Sequence, residues 1–157
     1  MPPQVVLFVD TEFTGFNNPK LISIGIVASS GEEFYEEAEY HLEECSDFVR
    51  ATVLRLLNQK ALSLEELQTV LLGWIESLRN NALILICYDS EYDREMLEQI
   101  FGDRRPQGVV LRNLGASYVN KIKQYEFHVK YKQAEHHALH DARALKYSFR
   151  GWIRKVR

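Results

Sequence analysis

Cysteine is scarce in this chain, and so are long apolar runs. Two cysteines in 157 residues cannot build a disulfide framework, so Cys45 and Cys87 are read as reduced bystanders, with Cys87 in a buried strand and Cys45 the more exposed. The longest apolar run, Ala82 to Cys87, falls far short of the ~20 residues a membrane-spanning helix needs. No charged leader followed by an apolar stretch opens the chain. A soluble, cytoplasmic protein without a membrane partner is expected. Linkers, repeats and low-complexity segments are also missing, so residues 1–157 read as a single domain, long enough to bury about 68–70% of its unfolded surface.

Positive charge is lacking too, but unevenly. The formal net charge is −3, which by itself argues against a polyanionic partner. Residues 1–100, however, carry 18 acids against 6 Lys or Arg, whereas residues 101–157 carry 13 Lys or Arg against 4 acids. The basic part could supply a surface that tracks phosphates. Equally, Lys121, Lys123, Lys130, Lys132, Arg154, Lys155 and Arg157 could serve only to solubilise the surface.

Hydrophobic periodicity gives the order of elements. Strands are expected over about 4–10, 20–28 and 33–40, the last two joined by the turn cluster Ser29-Ser30-Gly31-Glu32 as a hairpin. In 33–40, Phe34, Ala38 and Tyr40 alternate with Glu33, Glu37 and Glu39, the pattern of a strand with one wet face; Glu36 breaks it. Ser46 should cap a helix running to about Asn58, with Val49, Val53, Leu54 and Leu57 on one stripe. Ser63-Leu64-Glu65-Glu66 is a capping box that opens a helix to about Arg79. A strand from Ala82 to Tyr88 and a helix from about Glu91 to Phe101 follow, the latter stopped by Gly102. Val109–Leu111 reads as a short strand, Gly115–Tyr125 as weakly helical, and His137–Arg154 as the final helix. Three antiparallel strands followed by strands alternating with helices predict a mixed α/β sheet flanked by helices.

Chemistry concentrates in four acids and a histidine. Asp10 and Glu12 close the apolar run Val5-Val6-Leu7-Phe8-Val9, and residues two apart on a strand share a face. Two carboxylates at the end of a buried strand are costly unless cations compensate them, and Mg²⁺ or Mn²⁺ is the natural choice. With Asp93 and Asp141 they could form a set that holds two ions, the arrangement suited to hydrolysing a phosphodiester. A general base is also required, and a histidine titrates in a suitable range. Helical spacing from Asp141 slightly favours His137. His136 is the better candidate if it lies on a loop or first turn leading into the helix, from which it can swing over the metals.

Three segments resemble the DEDDh group of 3′-to-5′ exonucleases in the ribonuclease H-like superfamily. Phe8-Val9-Asp10-Thr11-Glu12-Phe13-Thr14-Gly15 is similar to the family's opening Asp-x-Glu block. Tyr88-Asp89-Ser90-Glu91-Tyr92-Asp93-Arg94-Glu95-Met96-Leu97 is similar to its Asn-x-x-Phe-Asp block, and His136-His137-Ala138-Leu139-His140-Asp141-Ala142 to its His-x-Ala-x-x-Asp-Ala block. A narrower resemblance, to small bacterial exoribonucleases of the RNase AS type, runs through Asp10-Thr11-Glu12-Phe13, Leu21 to Val27, and Cys45 to Arg50 with Val53-Leu54. The resemblance implies a ribonuclease H-like fold and Asp10, Glu12, Asp93 and Asp141 as ligands of two Mg²⁺ or Mn²⁺ ions. It further implies His136 as base, Phe13 wedged against the terminal bases, and backbone near Thr14 and Gly15 at the 3′-hydroxyl. The implied substrate is a single-stranded RNA or DNA 3′ end, RNA by the narrower likeness, which also implies a homodimer. The chain departs from the pattern at Asp89, where many relatives carry Asn; the extra acid either joins the metal shell or caps the helix near Glu91, the role Asp usually takes.

Other readings compete. Phe13 could be ordinary core packing, and His140 a helix-surface residue. A proofreading-type exodeoxyribonuclease, an RNase H-type endonuclease and a catalytically silent RNA-binding module are the alternatives, distinguished by their products.

Overall fold

A computed structural model describes residues 3–152. Strands β1 (Gln4–Phe13), β2 (Leu21–Ala28), β3 (Glu33–Glu37), β4 (Leu83–Tyr88) and β5 (Val109–Asn113) form one sheet in the order β3-β2-β1-β4-β5. β1 and β2 are antiparallel, as are β2 and β3, whereas β4 pairs parallel with β1 and β5 parallel with β4. The expected mixed sheet is present. Six helices accompany it: α1 (Asp47–Thr52), α2 (Leu64–Arg79), α3 (Glu91–Phe101), α4 (Gly115–Tyr118), α5 (Lys121–Lys130) and α6 (Ala138–Ser148). None of the described helices is long and apolar enough to cross a membrane.

Local chemistry fixes several boundaries as the sequence suggests. Ser46 caps α1 by accepting from the Val49 N–H, and Ser63 and Glu66 close both halves of the capping box on α2. On one face of the sheet Leu7, Val9, Ile24, Ile26, Ile84 and Ile86 pack against Leu67, Leu71 and Ile75 of α2 and Met96, Leu97 and Ile100 of α3. On the other face Phe8 and Cys87 pack with Leu145 of α6. This alternation sorts the end of β1: Thr11 and Phe13 follow Leu7 and Val9 toward α3, and Asp10 and Glu12 follow Phe8 toward α6.

Other expectations fail for physical reasons. β3 has no wet face. Its Glu33 pairs with Arg143 of α6, Tyr35 stacks on His137, and Glu37 is only 2% exposed because its carboxylate accepts from the Asn58 and Gln59 N–H groups and the Tyr35 hydroxyl. Those bonds draw residues 57–59 out of helical form, so the helix expected to reach Asn58 stops at Thr52 and gives way to a 3₁₀ turn at Leu54–Leu56. Cys45 is buried among Ile22, Val49 and Val53, though at 6% exposure against 0% it remains the more exposed cysteine, as expected. The segment read as one weak helix over 115–125 is broken by Asn120, whose side chain caps α5 through the Ile122 and Lys123 N–H groups. The final helix ends at Ser148 rather than near Arg154, because Phe149 turns back to bridge Val119 and the Arg150 N–H bonds the Tyr118 carbonyl. Arg154, Lys155 and Arg157 lie outside the described residues.

Candidate active site

β1 runs past the end of β4: their pairing stops at Phe8 and Cys87, so Asp10 and Glu12 overhang the carboxyl end of the parallel strand. In open α/β sheets this is where ligands bind. β4 ends at Tyr88, and Asp89 follows directly before α3. Ser90, not Asp89, caps that helix through the Tyr92 N–H, which overturns the capping role expected for Asp89. Its carboxylate instead meets Lys121 Nζ at 3.4 Å and Gln124 Nε2 at 3.1 Å, both from α5.

Asp93, in the first turn of α3, is 2% exposed. One of its oxygens accepts from the Thr11 N–H at 3.1 Å and from the Thr11 hydroxyl at 2.7 Å. The residue between the two strand acids therefore anchors the third acid from the opposite side of the strand.

α6 brings the fourth acid, and Gly25 lets it approach. A Cβ on Gly25 would lie 2.5 Å from the Ala138 carbonyl carbon and from the Leu139 nitrogen and Cα. Gly25 is the register partner of Asp10 on β2. Only a residue without a side chain allows the first turn of α6 to sit this close to the sheet beside Asp10 and Glu12. Asp141 then faces them. His136 lies in a turn before α6 with φ +66°, a left-handed conformation costly for a non-glycine residue, and its N–H donates to Asp141 Oδ2 at 3.2 Å. His137 takes the N-cap position instead. Its ring stacks between Tyr35 and His140, at 4.6 and 4.1 Å between centroids, and burial pushes its pKa down to about 4. His140, which was expected at the surface, also contacts the Ala134 carbonyl through Nδ1 at 3.0 Å.

Two triads of ligand atoms result: Glu12, His136 and Asp141, and Asp10, Asp89 and Asp93, the atoms of each lying within 4.8 Å of one another. The electrostatics are those of crowded acids with too little water. Burial first, then the charges of Asp93, Asp141, Glu12 and Asp89, hold the Asp10 carboxyl well above the usual carboxylate range. Burial, followed by Asp141, pushes Glu12 up to about 9. Burial pushes Asp93 up to about 7 although the Thr11 hydrogen bonds oppose it. Asp141 is also raised by burial, against the pull of Glu12, His128 and His136. Asp10 Oδ2 and Asp93 Oδ2 are buried with no hydrogen-bond partner among the described residues. Buried, unpartnered carboxylate oxygens facing other carboxylates fit hard divalent cations, which would favour the ionised forms.

Two cavities meet at His136. A polar one of about 250 Å³ is lined by Asp10 and Asp141 and by Lys121, Gln124, Tyr125 and His128 of α5. An apolar one of about 450 Å³ is lined by Glu12, Phe13, Gly15, Phe16, Phe48 and Val53 among others. Phe13 is half-buried and stacks on Tyr92 with centroids 5.1 Å apart, while Phe16 and Phe48 are 76% and 55% exposed. Thr14 is buried. Its N–H and carbonyl already bond the Lys20 carbonyl and the Ser46 N–H, which leaves less of its backbone for a ligand than the resemblance implies.

Sequence reasoning missed Gly25, Thr11, His128 and the α5 polar face. His128 Nε2 lies 3.3 Å from Asp141 Oδ1 while its Nδ1 meets the Gln133 carbonyl at 2.8 Å. The spacing Lys121, Gln124, Tyr125, His128 was a usable signal, because residues three, four and seven apart share a helix face. So was a glycine inside the strand Leu21–Ala28.

The structure is similar to that of Schizosaccharomyces pombe (S. pombe) Pop2p in its Mg²⁺- and Mn²⁺-bound form, with a TM-score of 0.57 and 14% identity over 90% of this chain and 79% of the other. That likeness shows a ribonuclease H-like fold. No curated protein sequence gives a significant match. Residues 5–150 match the family model described as the 3′-5′ exoribonuclease Rv2179c-like domain. The chain belongs to the Rv2179c-like family of 3′-5′ exoribonuclease domains.

Proposed function

We propose that the chain is a two-metal 3′-5′ exonuclease of the DEDDh type that hydrolyses single-stranded RNA and releases nucleoside 5′-monophosphates. The observation that carries this reading is the pair of adjoining ligand triads whose buried Asp10 and Asp93 oxygens have no partner of their own. Asp10, Glu12, Asp93 and Asp141 would hold Mg²⁺ or Mn²⁺, the ions present in the Pop2p structure. When bound, such a pair neutralises the entering and departing oxygens of an in-line displacement.

The chain's own residues do the rest. His136 stands at the mouth of both cavities with its backbone tied to Asp141, so its ring is placed to take the proton of the attacking water. The strained turn that holds it there is the kind of conformation found at functional sites. Phe13, backed by Tyr92, with Phe16 and Phe48, offers faces for the terminal bases, stacking that is worth roughly 1–3 kcal/mol per base and tolerates any sequence. Gly15 lines the same cavity, and the Thr14 hydroxyl beside it accepts from the Lys20 N–H. Lys121 on the polar side supplies positive charge to the strand arriving there. Two free, buried cysteines suit a cytoplasmic enzyme. The exposed Ile122 and Val129, two turns apart on α5, are consistent with a homodimer.

The test is a 5′-labelled oligonucleotide, as RNA and as DNA, incubated with Mn²⁺ or Mg²⁺. A ladder descending from the 3′ end of the RNA, abolished by a chelator, is expected. Internal fragments would indicate an endonuclease, a ladder on DNA alone a deoxyribonuclease, and no products a silent binding module.

A further inference from the structure

Asp89 stands where the Asn-x-x-Phe-Asp block that this segment resembles has Asn, and its surroundings give it a use. It does not cap α3, since Ser90 does. Its carboxylate lies with those of Asp10 and Asp93, all offering oxygens within 4.8 Å of one another. Two oxygens of this group, Asp10 Oδ2 and Asp93 Oδ2, are buried and unpartnered, and Asp93 itself is 2% exposed. Oδ2 of Asp89 is occupied by Lys121 and Gln124 of α5, which fixes the side chain and leaves the other oxygen free of those partners.

Resting on the metal-site reading above, we infer that Asp89 is a fifth carboxylate ligand, sharing the ion held by Asp10 and Asp93, and that Lys121 and Gln124 are the positioning residues that aim it. Asn at this position could offer a neutral oxygen but no charge. The affinity of a hard-cation site follows the charge count of its ligands, so this chain should hold that ion more tightly than an Asn-bearing counterpart.

The experiment titrates Mn²⁺ into the whole chain by electron paramagnetic resonance and measures water-proton relaxivity of the bound ion. Asp89→Asn is expected to weaken one of the bound ions by on the order of tenfold or more, and Asp89→Ala to weaken it and also raise relaxivity as water takes the vacated position. Lys121→Met is expected to weaken that ion by less than the Asp89 variants do and to leave relaxivity unchanged, because Gln124 still holds the carboxylate and the ligand remains. The inference is overturned if Asp89→Asn binds within twofold of the unaltered chain, if Asp89→Ala weakens binding with unchanged relaxivity, or if Lys121→Met reproduces the full effect of Asp89→Ala, as a purely structural ion pair would. Asp10→Asn separates this outcome from failure of the metal site itself: if that variant still binds both ions, the site reading falls along with the fifth ligand.

Discussion

Replacing Gly25 by alanine should cripple the site from a position that touches no substrate. The new Cβ would stand 2.5 Å from three backbone atoms of Ala138 and Leu139, where contacts below 3.0 Å are essentially never found and ordinary ones begin near 3.4 Å. No side-chain rotamer can relieve a clash with backbone, so the first turn of α6 must retreat by about 1 Å. That turn carries Asp141 and is entered through His136. Overpacking of this kind costs about 1–3 kcal/mol, at roughly 2–4 °C of Tm per kcal/mol for a chain of this size, while a misplacement of ~1 Å at reacting groups costs on the order of 10²-fold in rate. The assay is single-strand RNA turnover at saturating Mn²⁺ beside thermal melts followed by circular dichroism. Gly73→Ala in α2 is the control: nothing lies within 4 Å of its added Cβ, and alanine should leave turnover unchanged and add up to about 1 kcal/mol of stability. If Gly25→Ala keeps both its Tm and its turnover within threefold, the close docking of α6 does not set the site.

Three further outcomes are expected. Glu12, raised to about 9, and Asp93, raised to about 7, bind more protons folded than unfolded. The metal-free protein should therefore lose stability as pH rises from the ordinary carboxylate range of about 4 toward 9. A divalent ion must displace these protons, so Mn²⁺ affinity should climb by on the order of 10²–10³ between pH 6 and 8, and calorimetry in buffers of different ionisation enthalpy reads the proton release; pH-independent binding contradicts it. His136→Ala should lose turnover by at least about 10² yet bind metal in the other triad, whereas His137→Ala should lose stability and keep turnover; the reverse pattern would move the base to His137. Glu37→Ala strands the Asn58 and Gln59 N–H groups and should cost roughly 2–4 kcal/mol by denaturant melts, with Mn²⁺ binding unchanged.

Much of this was legible before any coordinates. Period-two and helical patterns located all five strands and the three helices whose caps are spelled out, because Ser46, Ser63 and Gly102 act within one turn of the chain they terminate. The candidate acids could be chosen because two carboxylates at the end of a buried strand invite a cation and because the resemblance marks Asp93 and Asp141; the structure gathers Glu12 with Asp141 and Asp10 with Asp93. What stayed hidden depends on contacts between distant segments. Glu37 looked like a wet-face acid and is buried, since its partners lie 21 and 22 residues away. Likewise Thr11 meets an acid 82 positions on, and the break in 115–125 reflects pairing with Phe149. His128 was marked only by its helical spacing from Lys121, Gln124 and Tyr125, and Gly25 by its place inside a strand; both were passed over.

A crystal grown in manganese and measured at its absorption edge puts the account at most direct risk. Two anomalous peaks are expected, one between Glu12 and Asp141 and one among Asp10, Asp89 and Asp93. Peaks elsewhere, with the Asp10 and Asp93 oxygens still uncoordinated, would contradict it.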